Sequence, residues 1–222
     1  MPFFTKYKIE DIAGQISRED ILQRSRILIV DDERPDLIED LMQGGFAVDY
    51  LPDITNANMN VIDRPKYDLI ILDFGSVGTA FGHDQGLSLL KFIKRVNPTA
   101  HVLAYTSKAL GTEHAEFFRL ADGVLPKDAG IAESMEKIES ALAEARSVKN
   151  LWKGMLSATG VKPGSKEDDE WQHLFVAGLQ KPGKMRALKD KVVKTVGSEN
   201  GQKVSLFILE KLAELATKSI TG

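Results

Sequence analysis

The sequence predicts an α/β fold, in which a five-stranded parallel sheet of order 2-1-3-4-5 is followed by a small all-α C-terminal segment. Short apolar runs rich in β-branched residues alternate with helix-length amphipathic stretches from residue 25 to about residue 147. Such alternation is typical of right-handed βαβ units, which place their strands in parallel. Several of the runs end on a charged or polar residue, as expected at the ligand-binding edge of a parallel sheet.

Composition narrows the class of protein. The chain has 222 residues, 43% of them hydrophobic, and a net charge of −3, so its total charge implies no general affinity for nucleic acid. Cysteine is absent, which excludes disulfides, thiolate metal sites and a cysteine nucleophile. The first eight residues lack the apolar core of a signal peptide, and no apolar run approaches membrane length. We therefore expect a cytoplasmic protein with no membrane partner.

The first half of the alternating region begins with a strand over 26–30, whose consecutive apolar residues indicate burial on both faces. The strand runs directly into two adjacent carboxylates, Asp31 and Asp32. A short helix is expected over about 35–43, because a proline opens it and two glycines close it. A second strand follows over 46–51.

The second half repeats the pattern with three more strands. The third strand ends on a carboxylate, Asp73, and a glycine-rich loop over 74–85 comes after it. The apolar spacing of the next segment predicts a helix that stops before Pro98. The fourth and fifth strands enclose one further short helix. The remaining predicted elements are the third strand over 66–73, the helix over 89–96, the fourth strand over 100–105, the short helix over 115–120 and the fifth strand over 123–125.

Apolar residues at heptad spacing predict one long helix over 131–155, about twice the mean helix length. Its second half would overshoot the sheet, which favours either a signalling helix or a homodimer formed through this helix. The expected domains are an N-terminal arm (1–24), the sheet domain (25–147), a helix extension and linker (148–170) and a helical C-terminal segment (171–222). Residues 151–222 carry 12 basic and 8 acidic residues, so this end of the chain is positive.

Polar groups at the ends of separate strands should meet at one edge of the sheet. In the order 2-1-3-4-5 the first, third, fourth and fifth strands are neighbours. Two carboxylates about 4 Å apart repel by roughly 4 kcal/mol at an effective dielectric of about 20, so a cation is expected between them. Oxygen ligands suit Mg2+. The groups brought together are Asp31, Asp32, Asp73, Thr106 and Lys127.

These groups have complementary chemistry. Asp32 and Asp73 can hold Mg2+, helped by a backbone carbonyl just past Asp73. Asp73 can also attack phosphorus and become an aspartyl phosphate. Mg2+ and the Lys127 ammonium would neutralise the charge of the transferring phosphoryl group. The Thr106 hydroxyl can then bind a phosphoryl oxygen.

Over about residues 25–147 the set and its order resemble the receiver domain of two-component response regulators, the CheY-like family. The resemblance implies that the chain accepts a phosphoryl group from a histidine kinase or a histidine phosphotransfer protein. The C-terminal segment matches no family by its residues, and our hypothesis is that it and the long helix form a protein-binding output. The matching motifs are Val30-Asp31-Asp32-Glu33, Leu72-Asp73, Ala104-Tyr105-Thr106-Ser107 and Ala121-Asp-Gly-Val-Leu-Pro-Lys127. The implied roles are phosphoacceptor for Asp73, metal ligands for Asp31, Asp32, Asp73 and the Gly75 carbonyl, switch hydroxyl for Thr106, and phosphate-facing lysine for Lys127.

Other functions remain open at this level. The unusual 74–85 loop, and Val124 where many family members carry Tyr or Phe, suit a phosphorylation-independent scaffold. The basic residues within 181–194 suit a DNA-binding regulator, although the last helix carries a wide apolar face unlike a recognition helix. An aspartyl phosphatase is disfavoured because Gly75 stands where its second acid is expected. We therefore do not expect an enzyme.

Overall fold

The computed structural model describes residues 9, 12, 17–62, 66–107 and 114–221, apart from the side chains of 200 and 218–221. The chain forms two compact units. We call Ile16–Ala145 the sheet unit and Arg146–Gly222 the helical unit. Ile9, which is 4% exposed, adds its side chain to the core of the helical unit.

The sheet unit contains one five-stranded parallel sheet whose strands, numbered along the chain, lie in the order 2-1-3-4-5, which confirms the predicted fold class. The third and fourth strands are fully buried, and the first is buried apart from Arg26, because helices cover both faces, as continuous apolar runs predict. The strands are β1 (Arg26–Val30), β2 (Ala47–Leu51), β3 (Leu69–Asp73), β4 (His101–Thr106) and β5 (Gly123–Pro126).

Alternating side chains divide the sheet between two cores. Ile29, Ile71 and Leu103 pack under the helices over 18–24, 37–43 and 131–145. Val30 and Leu72 pack on the opposite face, under the helices over 86–96 and 115–120. These helices are α1 (Arg18–Arg24), α2 (Leu37–Gln43), α3 (Gly86–Val96), α4 (Ala115–Leu120) and α5 (Ile131–Ala145).

The helix predicted as continuous over 131–155 is two helices, so that prediction is wrong. α5 ends at Ala145, and α6 (Val148–Thr159) begins after a cap in which the Ser147 hydroxyl accepts the Asn150 N–H at 3.1 Å. The heptad pattern misleads because each helix buries its own apolar stripe in a separate core. The single helix expected to carry a homodimer is therefore not formed.

The helical unit also begins earlier than expected. Residues 148–159 form its first helix and supply buried Trp152 and Met155, rather than extending from the sheet domain. The charged run expected as a linker is the first turn of a helix over 166–178. Ser165 caps this helix, and the acidic residues of the first turn interact favourably with the positive end of the helix dipole. The later helices are α7 (Lys166–Gly178), α8 (Pro182–Thr195) and α9 (Glu199–Thr221).

Part of the predicted N-terminal arm lies outside the described residues, namely 1–8, 10–11 and 13–16. The described part ends in α1, whose cap is the Ser17 hydroxyl, an acceptor for the Asp20 N–H at 3.1 Å. Throughout the described ranges, every helix is too short or too polar to cross a lipid bilayer.

Asp168 organises the start of the helical unit. Its side chain is 3% exposed and accepts three hydrogen bonds. Oδ1 accepts the Trp152 indole N–H and the Gln172 amide, both at 2.9 Å, and Oδ2 accepts the Gly164 N–H at 2.7 Å. Three donors would lose their acceptor if this carboxylate were removed.

We expect Asp168→Ala to lower the free energy of unfolding of the helical unit by about 3 kcal/mol, because buried donors are left unsatisfied. Trp152 and Trp171 both lie in this unit, so urea unfolding followed by tryptophan fluorescence measures it. Asp169→Ala is the matched control at an exposed position and should cost less than about 1 kcal/mol. Equal losses in the two variants would contradict the role given to Asp168.

Candidate functional site

Three carboxylates meet at the carboxyl edge of the sheet. Asp31 follows β1 and Asp73 ends β3, its neighbour in the sheet. Each of Asp31, Asp32 and Asp73 offers an oxygen within 4.8 Å of those of the other two. Asp31 is 1% exposed and Asp73 is 9% exposed, whereas Asp32 faces solvent. The predicted acidic cluster is therefore assembled, with an open side at Asp32.

Lys127 reaches into this cluster from the residue after β5. Its Nζ lies 2.7 Å from Asp31 Oδ2 and 3.1 Å from Asp73 Oδ1. The Lys127 backbone N–H donates to the Thr106 carbonyl at 2.9 Å, which extends the pairing of β5 with β4 by one residue. The ammonium is thus held between two carboxylates on adjacent strands.

Backbone and hydroxyl groups fix the orientation of the two buried carboxylates. The Gly75 N–H donates to Asp73 Oδ2 at 2.8 Å, so each Asp73 oxygen has a different partner. The Glu33 N–H donates to Asp31 Oδ1 at 3.0 Å, and the Tyr50 hydroxyl donates to the Asp31 carbonyl at 3.0 Å. Asp73 Oδ1 and Asp31 Oδ2 are left to face Lys127.

The electrostatics of the cluster follow from this arrangement. Burial raises the pKa of the Asp73 carboxyl above its usual value, and the hydrogen bond and charge of Lys127 only partly oppose the increase. Burial favours a lower pKa for the Lys127 ammonium, but the bonds to Asp31 and Asp73 outweigh it and raise that pKa. Lys127 is therefore protonated at neutral pH.

The donor set suits a divalent cation. Three carboxyl groups when charged would exceed the single ammonium by two negative charges. A hard dication with oxygen ligands would neutralise them, and the exposed Asp32 offers it a route of entry. Asp32, Asp73 and Asp31 are the residues that could hold Mg2+.

Thr106 and Gly75 both lie at the carboxyl edge of the sheet, but they make different contacts there. Thr106 ends β4, is 7% exposed and is paired with Pro126. Its carbonyl holds the Lys127 backbone, as described above. Gly75 contacts Asp73 through its N–H, whereas the sequence suggested a role for its carbonyl.

Tyr105 is a site residue that sequence reasoning missed. It is paired with Asp73 in the β3–β4 register, and it is 6% exposed. Lys127 Nζ lies 5.2 Å from the centroid of its ring. Burial raises the pKa of the Tyr105 phenol, which keeps it neutral at physiological pH. Strand alternation could have predicted this position. Tyr105 follows Leu103 by two residues, so both lie on the same face of the sheet, and Tyr105 is the register partner of Asp73.

The loop after Asp73 is anchored on both sides. Asp53 Oδ1 accepts the Gly78 N–H at 2.5 Å, and Gln85 Oε1 accepts the Ser76 N–H at 3.2 Å. Gly86 opens α3 against the backbone that follows β3, where a Cβ would lie 2.7 Å from the Asp73 carbonyl oxygen. Asp53 was not predicted, because its partner lies 25 residues away in the chain.

Comparison with protein-family models gives no match, and no curated protein matches the chain. Among solved structures, the chain is similar to a two-component response regulator from Clostridium difficile (22% identity, TM-score 0.45; 54% of this chain and 96% of that chain). It is also similar to a CheY-like response regulator receiver domain protein from Methanospirillum hungatei JF-1 (23% identity, TM-score 0.44; 55% and 95%). NtrX from Brucella abortus, in complex with ADP, is a third (21% identity, TM-score 0.46; 71% and 34%). These likenesses concern the fold.

We expect Lys127→Met to destabilise the sheet unit by about 2–3 kcal/mol in a chelating buffer, because two carboxylates lose their counter-ion. Mg2+ should restore more stability to this variant than it adds to the unmodified protein. Urea unfolding followed by circular dichroism measures both effects. Lys91→Met is the control, since Lys91 forms an exposed ion pair with Glu116 and should cost less than about 1 kcal/mol.

Asp73→Asn should have the opposite effect in the same chelating buffer. Because burial raises the folded-state pKa of Asp73, stability is lost as the pH rises from the unfolded-state pKa through the folded-state pKa of this carboxyl. Asparagine cannot ionise, so the unfolding temperature at neutral pH should rise. A fall in unfolding temperature would contradict the electrostatic description of the site.

Proposed function

We propose that the chain is a response regulator that accepts a phosphoryl group on Asp73. The observation that carries the proposal is the placement of Asp73, a largely buried carboxylate at the carboxyl end of β3. Lys127 lies 3.1 Å from its Oδ1, and Asp31 and Asp32 each offer an oxygen within 4.8 Å. A nucleophile, a fixed cation and two further metal-ligating acids are the parts that phosphoryl transfer requires.

Asp73 Oδ1 is the attacking atom in this proposal. It forms a bond to phosphorus while the bond from phosphorus to the donor breaks, and the electron pair leaves with the donor. Asp73 Oδ2 stays hydrogen-bonded to the Gly75 N–H, which holds the carboxylate plane in place. The proposed donor is the phosphohistidine of a histidine kinase or of a histidine phosphotransfer protein.

Lys127 provides fixed positive charge beside the attacking oxygen. As negative charge passes from the carboxylate to the phosphoryl oxygens, the ammonium can stay paired with Asp31 Oδ2, its second partner at 2.7 Å, while it stabilises that charge. Mg2+ held by Asp31, Asp32 and Asp73, with the Gly75 carbonyl, would supply the remaining charge neutralisation. Asp31 and Asp32 thereby act as metal ligands rather than as bases.

Thr106 is proposed as the residue that responds to the phosphoryl group. Its hydroxyl would donate a hydrogen bond to a phosphoryl oxygen, which draws the end of β4 towards Asp73. Because the Thr106 carbonyl binds the Lys127 N–H, this movement would also displace β5. The proposed output is a changed contact made with a partner protein through the helical unit.

A DNA-binding output is the second candidate, since α8 carries Lys184, Arg186, Lys189, Lys191 and Lys194. Two of these are engaged, because Lys189 pairs with Glu210 at 3.2 Å and Lys191 pairs with Glu170 at 3.0 Å. We therefore favour a protein partner. Binding to duplex DNA that weakens steeply with salt would reverse this preference.

The experiment is incubation with Mg2+ and acetyl phosphate, followed by intact-mass measurement. We expect a gain of one phosphoryl group that is lost in Asp73→Asn and abolished by a chelator. Asp84→Asn removes an exposed carboxylate from the neighbouring loop and should be phosphorylated like the unmodified protein.

Two results would overturn the proposal. One is no mass gain under conditions in which the folded protein binds Mg2+, which would favour a phosphorylation-independent scaffold. The other is a gain that persists in Asp73→Asn, which would place the modification on another residue.

A further inference from the structure

The Lys127 ammonium has a third neighbour besides Asp31 and Asp73. Its Nζ lies 5.2 Å from the centroid of the Tyr105 ring, within the range of a cation–π interaction. Tyr105 is 6% exposed, and the Lys127 side chain is 27% exposed. The contact is therefore shielded from much of the solvent, where such an interaction is strongest.

The sheet places the groups around the ammonium on one face. Ile29, Ile71 and Leu103 are register partners across β1, β3 and β4, and all belong to the core on one face. Side chains two residues further along the chain lie on that same face and form the next row, which consists of Asp31, Asp73 and Tyr105. Leu125 is the partner of Tyr105 on β5, and Lys127 follows it by two residues.

Thr106 follows Tyr105 directly, so strand alternation places it on the opposite face of the sheet. Val102 and Ala104, which precede it in β4 at two-residue intervals, pack in the core on that face. Val124 also packs against that core. The aromatic ring that contacts the ammonium is thus supplied by β4 at the position before Thr106, on the face that holds the carboxylates.

We propose that Tyr105 is a positioning residue that holds the Lys127 ammonium against Asp73. The inference rests on the proposed function, because it assigns a residue to the placement of the lysine used in phosphoryl transfer. The two carboxylates attract the ammonium from the sheet edge, and the ring face closes the side where it would otherwise turn towards water. The π-face adds attraction without adding negative charge to a site that already has an excess.

The first test needs no phosphoryl donor. An immobilised lysine ammonium gives a resolved signal in a lysine-selective 1H–15N NMR spectrum, and Lys127→Met assigns it. We expect the Lys127 signal to persist in Tyr105→Phe, which keeps the ring. It should be lost or strongly shifted in Tyr105→Leu, which removes the ring.

The second test is the rate of phosphorylation by acetyl phosphate at saturating Mg2+. Tyr105→Leu should be about three- to tenfold slower, and Tyr105→Phe should stay within about twofold of the unmodified protein. The concentration of Mg2+ giving half-maximal rate should change little, because Tyr105 offers no metal ligand in this arrangement. Tyr67→Leu is the matched control, since Lys66 lies 4.7 Å from the ring of Tyr67 outside the carboxylate cluster.

A shape-conserving variant separates positioning from packing. Tyr105→pentafluorophenylalanine keeps a ring of similar size but reverses the charge distribution of its face, so it should behave like Tyr105→Leu. This variant also serves if Tyr105→Leu does not fold.

Three results would overturn the inference. They are an unchanged Lys127 signal in both ring-altered variants, equal losses in Tyr105→Phe and Tyr105→Leu, and full activity in the fluorinated variant. If the unmodified protein accepts no phosphoryl group, the proposed function fails, yet the NMR comparison still decides whether Tyr105 positions Lys127.

Discussion

The contact of one ammonium with two carboxylates at the edge of a parallel sheet is the interaction on which the site depends. Lys127 joins Asp31 and Asp73, which come from strands that neighbour each other only in the folded sheet. Buried carboxylates this close to each other repel, so the folded site requires positive charge between them. Lys127 supplies one positive charge, and a divalent cation would neutralise the remainder. The same excess of negative charge that makes the site costly to fold makes its oxygen ligands suited to a divalent cation.

Each of the two units has its own apolar core, and the helices at the boundary explain how one chain supplies both cores. α5 closes one face of the sheet, whereas α6 buries Trp152 and Met155 in a core of helices. A single straight helix could not give each core its own apolar stripe together with its own cap. Ser147 caps a new helix at this point, so the helical unit begins with a helix of its own.

Strand order and most of the site could be predicted because each buried strand is a continuous apolar run that ends on a polar group. Asp31, Asp73 and Lys127 meet as expected from that rule. The break at Ser147 and the start of α7 at Ser165 were missed, since heptad spacing and a charged run outweighed two local capping signals. Tyr105 was missed for a different reason. Its contact with Lys127 depends on which face of β4 it occupies, and that is set by register rather than by a motif.

The most direct measurement of the central claim is a crystal structure of the protein soaked in Mn2+, an anomalous scatterer that accepts the same oxygen ligands as Mg2+. We expect an anomalous peak bound by carboxylate oxygens from at least two of Asp31, Asp32 and Asp73, with Lys127 still beside Asp73. Absence of a peak among these residues at saturating Mn2+ would contradict the account, as would a Lys127 side chain that points away from both buried carboxylates.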